Sequence, residues 1–156
     1  MRLSELSGTI IIPGIKGNSL LTIKTKIESE LNALKARTDV IENVITFKTI
    51  GTIIASGTGE SANVLLRIYK EGKIVIEKEG NILKIRWTVK LDTLYVLAFY
   101  TSIIAGITAS LYGNTNLLAS VIIGIAFFLI FILLGVLLIQ YKLNDLIYAS
   151  VYSNNP

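Results

Sequence analysis

Few side chains in this chain could carry chemistry. It has no cysteine and no histidine. That removes thiolate nucleophiles, disulfides, cysteine–zinc sites and the commonest general base. Carboxylates remain: Glu71, Glu77 and Glu79 cluster around expected turns, and Asp39 and Glu42 follow an expected helix. No DxD or ExxE-type ligand set appears among them, so their expected place is a solvated face. Serines and threonines are plentiful, but without histidine only a Ser–Lys pair could activate one, and no spacing selects such a pair. Gly51, Gly57 and Gly59 lack both the P-loop spacing and its Gly-Lys-Ser/Thr ending. Residues 15–19 precede a helix, whose first amides offer no more to an anion than other helix starts do. The expectation is no catalytic, cofactor-binding or metal-binding residue, and no enzyme.

One basic row has a direction. Lys84, Arg86 and Lys90 recur at even positions of a strand whose odd positions are Leu83, Ile85, Trp87, Val89 and Leu91. Such alternation buries one face and leaves the cations on the other. Beside an anionic leaflet each cation would gain roughly 1 kcal/mol, so a lipid-headgroup role stands next to that of a plain solvated face. The net charge of +4 is too small to argue for nucleic acid.

The elements that must hold this row are legible from pattern. Residues 8–12 read as a strand closed by Pro13-Gly14. Leu20, Ile23, Ile27, Leu31 and Leu34 make a helical stripe, which predicts an amphipathic helix running to about Arg37 and capped by Asn18 or Ser19. From Val44 the composition turns to β: a strand over 44–50 that 52–55 could continue, a loop at 57–61, then strands over 63–69, 73–78 and 82–91. Glu71-Gly72 and Gly80-Asn81 are the turn signals. The expected fold of residues 1–92 is α+β, one amphipathic helix on a mainly antiparallel sheet of four or five strands.

Beyond Asp92 the chain changes character. Leu117 to Ile139 is 23 residues without a charge, and Ser120 is its only polar side chain. At about 1.5 Å per residue it spans a hydrocarbon core of about 30 Å. Thr93 to Tyr112 is also uncharged over 20 residues, although eight are Thr, Ser or Tyr; hydroxyls can bond back to the preceding turn. Residues 113–116 are too short to do other than fold the two into a transmembrane hairpin, with helices at 93–112 and 117–141. Ser102, Gly106 and Ser110 repeat every fourth residue, as do Ser120 and Gly124, which would let the helices approach closely. Reflection about residue 115 pairs Ser110 with Ser120 and Gly106 with Gly124. Residues 142–156 form a tail with Leu143, Leu146, Ile147 and Val151 at helical spacing. It would either extend the second helix onto the domain or lie in the interface.

Sidedness follows from Lys73, Lys78, Lys84, Arg86 and Lys90 before the first span, Lys142 after the second and none in the turn. Both termini are then cytoplasmic, in a bacterium at the inner membrane, with Tyr95 and Tyr141 at the inner interface and Tyr112 at the outer. Ile10–Ile12 after Arg2 is too short for a signal-peptide core. The expected function is a two-pass membrane protein whose membrane-apposed domain binds a protein partner or self-associates. Two other readings are a module for anionic lipid surfaces, and a pore or transporter accessory subunit with Thr101, Thr108 and Tyr112 as a hydroxyl stripe.

Overall fold

The computed structural model describes residues 4–13, 20–34, 36–49, 71–113 and 116–152. Its elements are β1 (Glu5–Pro13), α1 (Leu20–Ala33), β2 (Ala36–Ile41), β3 (Val44–Thr49), β4 (Glu71–Glu79), β5 (Ile82–Lys90), α2 (Asp92–Tyr112) and α3 (Leu117–Tyr152). The fold is α+β: a helix on a five-stranded antiparallel sheet, followed by two long apolar helices in contact. The strand order is β1-β5-β4-β3-β2. Strands β2 to β5 meander, and β1 lies along the far side of β5, with Glu5 opposite Lys90 and Ile12 opposite Leu83. The strands expected at 52–55 and 63–69, the loop at 57–61 and the Asn18 or Ser19 cap lie outside the described residues.

The sheet's core face follows the alternation in β5. Leu83, Ile85, Trp87 and Val89 are buried, as are Ile74 and Ile76 of β4, Ile45 and Phe47 of β3, and Leu6, Ile10 and Ile12 of β1. Helix α1 covers the β2–β4 side of this face with Ile23, Ile27 and Leu31, while Leu20 and Leu34 pack at its ends. Two glycines are filled from across the sheet. The Trp87 ring lies over Gly8 and the Phe47 ring over Gly72, each directly opposite in register. Glu71-Gly72 is therefore strand and not turn: the missing side chain makes room for a neighbouring ring. Gly80-Asn81 does turn the chain, with Gly80 at φ +61°.

The helix α1 ends at Ala33, short of Arg37, and Ala36–Ile41 is strand β2. Ala36 is buried on the core face, and Ile41 pairs with Val44 across the two residues Glu42 and Asn43. Glu42 takes φ +50°, the left-handed conformation that a two-residue hairpin needs. The Lys24 ammonium donates to the Glu42 carbonyl, tying this hairpin to α1.

Only Leu91 separates β5 from α2. Its N–H donates to the Ser4 carbonyl and its own carbonyl accepts from Tyr95, so one residue closes the sheet and opens the helix. Asp92 lies in the first turn of α2 and makes no side-chain cap bond. Helix α3 starts on Asn116, whose Oδ1 accepts the Ala119 N–H at 2.9 Å, an N-cap contact. It then runs 36 residues without a break, about 54 Å. Its first part pairs with α2. Its last part leaves the hairpin and covers the β1–β5 side of the core with Ile139, Leu143, Ile147 and Val151. Trp87 Nε1 donates to Asn144 Oδ1 at 3.2 Å. The tail is thus the end of α3, and the sheet's core is completed from the C-terminus.

Both long helices are apolar enough to cross a membrane, and their most apolar windows are only 11% buried. A core helix of a soluble domain would be largely covered. Ile104, Leu111, Ile122, Leu129 and Leu133 all face outward here. A long, largely exposed apolar hairpin is the mark of an integral membrane protein.

Candidate functional site

The two faces of the sheet differ in what they offer. The core face is closed by α1 and the end of α3. Among the described residues nothing covers the other face. It presents Glu5, Ser7, Thr9 and Ile11 from β1; Ile82, Lys84, Arg86, Thr88 and Lys90 from β5; and Glu71, Lys73, Val75, Glu77 and Glu79 from β4, with Lys48 and Arg37 beyond them. Both Lys90 and Glu71 lie at the end of the sheet that runs into α2, so this open face stands at the foot of the hairpin.

On this face the basic row meets an acidic one. Lys90 Nζ lies 2.6 Å from Glu71 Oε2, and Lys48 Nζ lies 2.9 Å from Glu71 Oε1. The Arg86 guanidinium donates to Glu77. Two of the three cations expected at a lipid headgroup, Arg86 and Lys90, are therefore held by carboxylates of the neighbouring strand, and Lys84 lies directly opposite Glu77. The Gly80-Asn81 turn places β4 beside β5, but the sequence reading puts the carboxylates around turns, so it does not show them as a row facing the cations.

Glu71 sits between two ammonium groups. Their hydrogen bonds, Lys90 first and Lys48 second, hold its carboxyl well below the usual range, at about 2, and Glu71 raises the Lys90 ammonium in return. A depressed carboxyl stabilises the fold above its unfolded value near 4.5 and loses that contribution as pH falls towards 2. The pairs are solvent-screened, so their effect on stability is small. The sharper expectation is spectroscopic. Carboxyl-detected NMR titration should show Glu71 still ionised where exposed carboxylates have protonated, and Lys90→Met should move its midpoint up.

Within the hairpin, the small residues meet. A Cβ placed on Gly106 would come within 3.1 Å of the Ser120 carbonyl oxygen, and one on Gly124 within 3.1 Å of the Ser102 carbonyl oxygen. Gly106 thus faces Ser120 and Gly124, while Ser102 faces Gly124, so the ladder is centred nearer 113 than 115. Ser102, Gly106, Ser110, Ser120 and Gly124 all line one groove of about 440 Å³ along the hairpin. Because the contacts at both glycines are backbone, they have little room to yield. Gly124→Leu should prise the helices apart at a cost of about 1–3 kcal/mol, seen as a lower melting temperature in mild detergent.

Two hydroxyls of α2 bond back to their own helix. Thr101 Oγ1 donates to the Leu97 and Ala98 carbonyls, and Ser102 Oγ to that of Phe99. Thr108 and Tyr112 lie on the exposed side. Thr101, Thr108 and Tyr112 share one face, within about 40° around the helix, and Thr101 spends its proton on its own backbone.

No protein-family model matches this chain, and neither a curated protein nor a solved structure is significantly similar to it.

Proposed function

We propose that this is a non-enzymatic two-pass membrane protein whose cytoplasmic domain, held at the inner leaflet, binds a protein partner or self-associates. One observation carries the reading. The core face of the sheet is fully furnished from within the chain, whereas the opposite face, at the foot of the hairpin, is laid out in ordered rows of charge with Ile11, Ile41 and Ile82 exposed among them. The cytoplasmic placement rests on the excess of Lys and Arg flanking the hairpin on the domain side. The absence of cysteine and histidine supports a binding rather than a catalytic role.

Anionic lipid binding by Lys84, Arg86 and Lys90 is the weaker reading, since Glu71 and Glu77 already hold two of the three. Purification in mild detergent from native membranes tests the main proposal. The chain should leave the membrane in a complex, with itself or with another protein. A strictly monomeric mass with no partner would overturn it, and proteolysis of right-side-out vesicles that removes the domain would overturn the sidedness.

A further inference from the structure

Membrane anchoring limits how two copies can meet. Both must share one sidedness, so a two-fold axis between them must lie along the membrane normal. Strand β5 runs directly into α2, and α3 passes as one helix from the hairpin onto the sheet. Gly135 of α3 lies against Leu94 and Asn144, nine residues on, against Trp87, so α3 runs back along β5 and the strands stand roughly along the normal. Antiparallel pairing of sheet edges would invert one copy and is forbidden. Packing of the open faces is not.

That symmetry acts on the charge rows in a specific way. Open-face residues of β4 and β5 lie at matched heights: Glu77 opposite Lys84, Val75 opposite Arg86 and Lys73 opposite Thr88. A two-fold axis running between these strands, parallel to them, lays the β5 row of one copy over the β4 row of the other. Lys84 then faces Glu77 and Lys90 faces Glu71 at both symmetric contacts, while Arg86 lies over Val75 and Ile82 over Glu79. The pairs within one chain leave capacity for this. Lys84, Lys73 and Glu79 make no ion pair among the described residues, and each carboxylate can accept several hydrogen bonds.

Resting on the membrane placement and self-association proposed above, we propose that the open sheet face is a self-complementary interface for a second copy of this chain. Five strands at about 4.8 Å spacing and 20–30 Å length offer roughly 600 Å² per copy, below the about 800 Å² per partner of a standard interface and in the range of a weak, reversible one. Packed sheets sit about 10 Å apart, so the axis brings the two charge rows within side-chain reach of each other.

The chain's lack of cysteine makes the test clean. Thr88→Cys lies beside the axis, and Ser29→Cys on the exposed side of α1 is the control. In native membranes a short bis-maleimide should join Thr88→Cys chains into dimers and leave Ser29→Cys chains single. Within the Thr88→Cys chain, Lys84→Glu or Glu77→Lys alone sets like charges across the axis and should cut the dimer roughly tenfold. Co-expressed, the two variants present opposite charges to each other at both contacts, and the mixed dimer should return to the unsubstituted level. That rescue in trans also shows that both variants fold. Dimers that survive the single substitutions, or variants that fail to recover when mixed, would overturn the interface. Adducts of Thr88→Cys with a different protein and no dimer would overturn it while leaving partner binding standing. No adduct at all, with a monomeric mass in detergent, would overturn both.

Discussion

A chain ended after Tyr141 is expected to lose its sheet while keeping its membrane hairpin. The truncation removes Leu143, Ile147 and Val151, all buried against the β1–β5 side of the core. At about 1.5–3 kcal/mol per buried aliphatic side chain the loss is roughly 5–9 kcal/mol, comparable with the whole stability of a small domain at about 5–15 kcal/mol. It also takes away Asn144, the acceptor of the Trp87 indole N–H. Trp87 is the chain's single tryptophan, so its fluorescence reports on this joint alone. Emission should shift to the red and become open to an aqueous quencher, while helical signal from the hairpin persists. Leu143→Ala should give a graded version, destabilising by about 2–5 kcal/mol. A truncated chain that keeps Trp87 shielded would refute the claim that α3 completes the core. For the same reason residues 1–92 should not fold when produced alone.

Gly8→Ala should destabilise the domain, although alanine normally improves on glycine in a strand by about 0.4–1 kcal/mol. A Cβ at Gly8 would fall 2.3 Å from Trp87 Cζ2 and 2.4 Å from Cε2. A rigid bicyclic ring cannot bend out of the way as a methionine would. The indole must tilt, which breaks its bond to Asn144 and disturbs the α3 contact beyond it. Overpacking of this kind costs about 1–3 kcal/mol, and an unsatisfied buried N–H about 1–3 kcal/mol more. Denaturation followed by Trp87 emission measures the sum. A neutral or stabilising outcome would mean that the ring does not lie on Gly8. Asn144→Leu should reproduce only the hydrogen-bond part, because it leaves the glycine pocket unfilled.

The elements with a strong local period were legible in the residues. The stripe Ile23, Ile27 and Leu31 and the alternation from Leu83 to Leu91 each announce a buried face within a dozen positions. The charge-free stretch from Leu117 announces a helix that water cannot hold. Strand β2 was not legible in this way. Lys35-Ala36-Arg37 is good helix material, and only pairing with β3 turns Ala36–Ile41 into a strand. Likewise Glu71-Gly72 resembles a turn until the Phe47 ring is seen to occupy the space above the glycine.

Composition and periodicity by themselves determined that the chain has a half-buried sheet, one amphipathic helix and a hairpin too apolar for water, because those properties depend on neighbours near in sequence. Only the tertiary structure decided that β1 lies beside β5, that α3 continues past the hairpin to close the core on Trp87, and that the cations of β5 meet the carboxylates of β4. The first two join residues tens of positions apart, and the ion pairs residues 9 and 19 apart. Their partners are chosen by strand order and register, which no single segment encodes.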